Sequence, residues 1–198
     1  MTYKLTVSDE WNSIHTEDLW VYNKLILSQV LGYTCGPAGL EVPRPDFFIV
    51  RPVCNFMGMG RFSQKMYLEN CTEHLHPGEF WCEIFEGDHI SVDYQGGISK
   101  LVVQGLRDVQ EPLYKWKRWV KVDRDLKFPK VLEGVKDRYE WINCEFIGGK
   151  LIEVHFRRNP DFRYGNDSVA PIWEGDEIPE GQYIEDDDYK RKGFILNG

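Results

Sequence analysis

Thr16-Glu17-Asp18 can start a helix and Gly32 can stop one, and between them apolar residues fall at Leu19, Tyr22, Ile26, Val30 and Leu31, the spacing of one amphipathic helix. A loop rich in Gly and Pro follows over residues 36–45, after which the pattern turns to short apolar runs. Phe47-Phe48-Ile49-Val50 predicts a buried strand ending at Arg51-Pro52, and Asn55-Phe56-Met57-Gly58-Met59-Gly60 predicts a short glycine loop beyond it. Phe80 to Ile84 and Ile90 to Tyr94 predict strands joined by Glu86-Gly87-Asp88, and Leu101-Val102-Val103 predicts another. Leu113 to Val122 fits a helix or a surface strand, and residues 131–140 fit a further helix. Pro160 to Gly198, rich in Asp, Glu, Gly and Pro, predicts an irregular tail with a solvated acidic turn at Glu185-Asp186-Asp187-Asp188.

The sharpest pattern lies between Trp141 and Arg157, where two alternating runs flank Gly148-Gly149. A three-residue turn, Gly148-Gly149-Lys150, sets Ile147 opposite Leu151, Glu145 opposite Glu153, Asn143 opposite His155 and Trp141 opposite Arg157. Ile142, Cys144, Phe146, Ile152, Val154 and Phe156 then share the other face. A two-residue turn at Gly148-Gly149 would place Glu153 opposite Cys144 and mix a carboxylate into the apolar face, so the pattern selects the longer turn. Two glutamates directly opposite, with Cβ atoms roughly 5 Å apart, repel. Either the pair splays into water or a cation sits beside it: Arg157, a nearby Lys, or Mg²⁺, which favours oxygen ligands and is the preferred reading.

Composition narrows the function classes. The 198 residues, 42% apolar and 28% charged, suffice for one sizeable core or two small lobes sharing a cleft. A net charge of −8 argues against tight non-specific nucleic-acid binding, which needs clustered Lys and Arg. The basic and aromatic run Tyr114 to Trp119 could stack single strands, but a partly buried element with snorkelling lysines is the plainer account. Apolar runs are too short to span a membrane and no signal-peptide pattern opens the chain, so a cytoplasmic protein is expected. Five widely spaced cysteines without a CxxC pair predict free, mostly buried thiols. His74 and His76 lack the companion ligands of a metal site, and no GxSxG, GxxxxGK[ST] or HExxH occurs.

Four segments taken in order resemble the ATP-grasp superfamily. Asn23-Lys24 through Leu31-Gly32-Tyr33 and Val42-Pro43 is similar to the helix that leads into the first nucleotide lobe. Phe48 to Pro52 with Asn55 to Gly60 is similar to the strand ending in Lys-Pro and its glycine loop over the phosphates. Phe80 to Val92 is similar to the hinge whose backbone holds adenine, with His89 at the ribose position. Cys144-Glu145-Phe146 and Ile152-Glu153-Val154-His155-Phe156-Arg157 are similar to the acidic strand and Glu-x-Asn-x-Arg strand that bind magnesium.

The resemblance covers roughly residues 20–160 and implies an α+β fold of two small antiparallel lobes, with helices, around a nucleotide cleft. About residues 17–100 would form the first lobe, 101–160 the second, and 161–198 the acidic tail, in a short form lacking the usual N-terminal domain. It implies an ATP- and Mg²⁺-dependent ligase joining a carboxylate to an amine through an acyl-phosphate; a non-catalytic nucleotide-binding or structural module is the alternative. By it Arg51, Asn55, Gly58 and Gly60 hold phosphates, Cys82, Glu83, Phe85 and His89 hold the nucleoside, and Glu145, Glu153 and His155 hold the metal. Arg157 and Arg51 would act on the transferring group. Arg51 replaces the usual Lys and keeps its charge, whereas His155 replaces an Asn and is a poorer Mg²⁺ ligand. The acceptor site would lie in the Pro160–Gly198 tail, around Arg107, or on a partner chain.

Overall fold

The structure, a computed structural model, describes residues 12–54, 62–188 and 190–197. Among them, strands β1 (Cys35–Pro37), β2 (Asp46–Pro52), β3 (Gln64–Leu68) and β4 (Glu79–Cys82) form a four-stranded antiparallel sheet in the order β1-β4-β2-β3. A larger antiparallel sheet takes β5 (His89–Gln95), β6 (Ile98–Leu106), β7 (Arg118–Lys121), β8 (Ile142–Ile147), β9 (Lys150–His155), β10 (Ser168–Trp173), β11 (Gln182–Asp188) and β12 (Arg191–Asn197), ordered β11-β12-β10-β7-β6-β5-β8-β9. The chain crosses from one sheet to the other over residues 83–88, so β5 belongs to the larger sheet and not, as expected, to the first lobe. No helix among the described residues is long and apolar enough to cross a membrane.

Period-two alternation buries the larger sheet on both faces. Val102 packs with Ile90, Val92, Cys144 and Val154 under the N-terminal helices, while its neighbours Leu101 and Val103 pack with Trp119, Phe162, Val169 and Phe194 on the opposite face. The smaller sheet has its own core of Phe48, Val50, Leu68 and Trp81.

The single helix expected from Thr16 to Leu31 is two pieces, a 3-10 helix at Thr16–Tyr22 and α1 at Lys24–Val30. Asn23 breaks it: its backbone is extended, and its side chain accepts the Ile26 amide at 3.0 Å as the cap of a fresh helix. Restarting the turn changes the buried face, which takes Val21, Tyr22, Lys24, Leu27 and Ser28 and leaves Ile26 and Val30 exposed. Residues 131–140 yield a 3-10 turn at Lys130–Val135, where Leu132 and Val135 share the three-residue spacing that this tighter helix eclipses. Leu113 to Val122 contributes only the short strand β7.

The expected irregular tail is instead β10, β11 and β12. The Asp- and Glu-rich composition concealed that its charges are matched within the fold. Arg191, 2% exposed, meets Asp161 at 2.6 Å, and Arg163 meets Asp186 at 2.6 Å. The acidic run Glu185–Asp188 is thus part of edge strand β11, with the Asp186 side chain buried.

In the hairpin Glu145 does face Glu153, and Asn143 faces His155. The turn differs: Ile147 pairs with Lys150 across a two-residue Gly148-Gly149 turn, and Phe146 pairs with Leu151. A bulge between Glu145 and Phe146 absorbs Ile152, restoring the carboxylate pairing. Leu151 consequently joins the core and Ile152 turns to the cavity described below, the reverse of the expected faces. Gly148, at φ 55°, is also where the hairpin turn abuts the crossing segment: its amide donates to the Asp88 carbonyl at 3.1 Å, and a Cβ would lie 2.0 Å from the Glu86 carbonyl oxygen.

Gly148→Ala is expected to cost more than 2 kcal/mol, on the order of an overpacked buried contact plus left-handed strain. Gly149→Ala, at φ 78° in open space, should cost only about 1 kcal/mol. Urea unfolding of both variants checks the order, and equal losses would remove the Glu86 contact as the cause.

Candidate functional site

Between the two sheets lies a cavity of about 800 Å³, within the range of small-molecule sites. The smaller sheet supplies Arg51 and Lys65, the crossing segment supplies residues 83–89, and the hairpin supplies Glu145, Glu153, His155 and Arg157. Every expected site residue among those described lines it: Arg51, Cys82, Glu83, Phe85, His89, Glu145, Glu153, His155 and Arg157. Asn55, Gly58 and Gly60 lie outside the described residues. In a chain of net charge −8, the wall sets six Lys or Arg side chains (Lys24, Arg51, Lys65, Arg107, Arg157, Arg191) against six carboxylates, so their formal charges balance here.

The residues leading out of β4 into the crossing segment are held by direct contacts. Glu83 exchanges two bonds with Thr34: its Oε1 accepts the Thr34 amide at 2.7 Å and its own amide donates to the Thr34 carbonyl at 2.9 Å. Phe85 meets Tyr33 edge to face at 4.7 Å. Burial pushes the Cys82 thiol up to about 11, so it stays protonated at neutral pH. The His89 ring packs edge-on against Trp116 and Trp119 with centroids at 4.6 and 5.7 Å. That stack needs Gly105, where a Cβ would meet Trp116 at 2.7 Å.

Arg51 is 7% exposed, with its guanidinium over the Phe80 ring at 5.1 Å. Burial lowers its pKa, opposed by the charges of Cys82, Glu153 and Glu145. Its Nε has no hydrogen-bond partner among the described residues, an unsatisfied donor at a cavity wall that an anionic oxygen would satisfy.

Each member of the acidic pair already has a partner inside the chain. Glu145 Oε2 lies 3.0 Å from His89 Nε2, and Glu153 Oε1 lies 3.0 Å from His155 Nε2. The ammonium of Lys24, 3% exposed, stands 3.5 Å from Glu153 Oε2. Burial opposes ionisation of Glu153, but Lys24 above all, then the His155 hydrogen bond and charge and Arg51, hold its carboxyl well below the usual range. Burial likewise lowers the Lys24 pKa, against the pull of Glu153. Lys24 is thus the nearby Lys that the hairpin pattern allowed as an alternative to the preferred Mg²⁺, delivered by the helix restarting after Asn23. Its position next to a helix-capping Asn was the only local signal for it. Among the described residues no group of three or more His, Cys, Asp or Glu is arranged to hold a metal.

Behind this wall a buried network fixes the middle of β5 and β8. Asn143 donates to Ser91 and to Asp93 at 2.8 Å each, the Asn159 amide donates to Asp93 at 2.8 Å, and the Tyr164 hydroxyl donates to Asp93 at 2.7 Å. Burial raises the Asp93 pKa despite these bonds. Sequence pattern revealed nothing of Asn159 or Tyr164; Tyr164 joins the network from the segment expected to be irregular, and Asn159 from the residue just before it.

Because the Glu153 pKa is depressed in the folded state, its stabilising contribution is complete above the unfolded value of about 4.3 and fades as pH falls toward the folded value. Glu153→Gln should therefore cost roughly 3–5 kcal/mol at pH 7 by leaving Lys24 beside an uncharged amide. The gap from wild type should narrow below about pH 4, where the native carboxylate loses its advantage. Urea unfolding at several pH values reads both, and a pH-independent gap would show that the ion pair is not its source.

No family model and no curated protein matches the sequence. Solved structures do. A protein from Archaeoglobus fulgidus described as an ATP-grasp superfamily protein superposes with a TM-score of 0.53 at 15% identity, covering 90% of this chain and 65% of that one. ATP-grasp ligase PsnB complexed with a minimal precursor gives 0.46 at 12% identity, covering 73% of this chain and 53% of that one. This chain therefore spans less than two thirds of the length of either. With its two antiparallel sheets and few helices, this chain has an α+β, ATP-grasp-like fold.

Proposed function

We propose that the cavity binds ATP and that the protein joins a carboxylate, of a small molecule or a peptide, to an amine. The observation that carries this reading is convergence. Three segments chosen for their resemblance, around Arg51, Cys82–His89 and Glu145–Arg157, line one cavity in a fold of the matching kind. In this reading Arg51 meets the phosphates with its unsatisfied Nε, and the crossing segment, locked by Thr34 and Tyr33, presents backbone to adenine. A substrate carboxylate oxygen attacks the γ-phosphorus, ADP leaves, and an amine then displaces phosphate from the acyl-phosphate. Arg157 stabilises the charge on the transferred group.

Magnesium, the cofactor expected with ATP, suits the donor chemistry of Glu145 and Glu153, two cross-strand carboxylates on one cavity wall. When bound with the nucleotide it would neutralise phosphate charge. His155, whose Nε2 donates to the Glu153 carboxylate, serves better to orient that carboxylate than as a magnesium ligand.

One observation favours a second reading, a nucleotide-binding module without turnover: both carboxylates already have cationic or imidazole partners inside the chain. Calorimetry and product analysis separate the two. Wild type should bind Mg·ATP, and Arg51→Met should weaken binding by about tenfold or more, the worth of a charged hydrogen bond. ADP release on adding pooled carboxylates and amines supports the ligase; binding without any release supports the module. If Mg·ATP does not bind at all, both readings fail.

A further inference from the structure

The carboxylate pair of the hairpin is not waiting open for a metal. Glu145 and Glu153 stand opposite each other across β8 and β9, and the charge between them is balanced from a different part of the chain. Lys24 enters from the first turn of α1, its backbone amide anchored on the Val53 carbonyl at 2.8 Å and its ammonium 3.5 Å from Glu153. Its side chain is 3% exposed, so this contact is made inside the protein, where solvent screens little. Arg51, also buried, faces the same two carboxylates from β2. A divalent ion approaching Glu153 would therefore meet a fixed positive charge at contact distance. Like charges that close cost far more inside a cavity than at a surface.

We propose that Lys24 is a placeholder cation: it holds Glu153 while the site is empty and is displaced onto nucleotide phosphate when a divalent ion takes the carboxylate. The proposal rests on the nucleotide reading above for its second half only. Its consequence is an order of affinity. Without nucleotide, the ammonium leaves the carboxylate it sits against with no phosphate to replace it, so a divalent ion binds weakly. With phosphates in the cavity, Lys24 exchanges one anionic partner for another, and divalent ion and nucleotide bind cooperatively. Lys24 thereby sets when the site accepts a metal, through position and charge, without itself being a ligand.

The test titrates Mn²⁺, followed by loss of the free-ion EPR signal, into wild type, Lys24→Met, Lys24→Gln and Lys24→Arg, each without nucleotide and with a non-hydrolysable ATP analogue. The glutamine variant fills the space and can hydrogen-bond Glu153 should methionine there prevent folding. In the absence of nucleotide, the Met and Gln variants should bind Mn²⁺ on the order of tenfold tighter than wild type, since a neighbouring like charge is gone. Lys24→Arg should behave as wild type, which a purely space-filling role would not require. Adding the analogue should tighten Mn²⁺ binding to wild type and do so much less for the uncharged variants. Uncharged variants that bind Mn²⁺ no better than wild type would overturn the placeholder role. An analogue that fails to bind wild type would instead sink the nucleotide reading, leaving the nucleotide-free titration to decide on Lys24.

Discussion

Two glutamates facing each other across a hairpin are the constraint around which this molecule is arranged. Glu145 and Glu153 cannot share a half-buried wall unless partners are brought to them, and the fold brings these from three directions. The charges of Lys24 and Arg51 arrive from the N-terminal helices and the smaller sheet, and a hydrogen bond from His89 to Glu145 arrives from the start of β5. Each of those elements is thereby tied to the hairpin, and the space they enclose is the cavity. The burial of these charges makes the arrangement costly to disturb at any single member, because removing one partner leaves another without its counter-charge.

The segment that carries the chain between sheets serves the same space. It runs against the hairpin turn at a point where Gly148 leaves no room for a side chain, and it is held on its other side by Thr34 and Tyr33. The two sheets are thus connected through a contact that also forms one wall of the site. Rigidity of this kind suits a ring-binding surface, and the His89, Trp116 and Trp119 stack extends it into the larger sheet.

Departures between pattern and structure have identifiable causes. The bulge at Ile152 allowed a shorter turn than alternation alone permits, while preserving the one pairing that matters electrostatically. The strands of the tail were hidden because composition does not show which acids are matched: Asp186 meets Arg163 from 23 residues away and Asp161 meets Arg191 from 30 residues away, contacts made only once the segment has folded. The helix break at Asn23 was hidden because a capping residue inside an apolar periodicity looks like an ordinary polar position until the next turn's amide bonds to it.

By itself the sequence determined the hairpin around Gly148-Gly149, the opposition of Glu145 to Glu153, and the strand that ends at Arg51-Pro52. These follow from alternation and the two glycines, which act between residues near in the chain, although the turn length did not. Only the tertiary structure decided which cation answers the need, that the tail completes the larger sheet, and that the separate segments share one cavity. Lys24 and Glu153 are separated by most of the molecule's length, and no local pattern encodes a contact whose partners meet only when two sheets and a helix have packed.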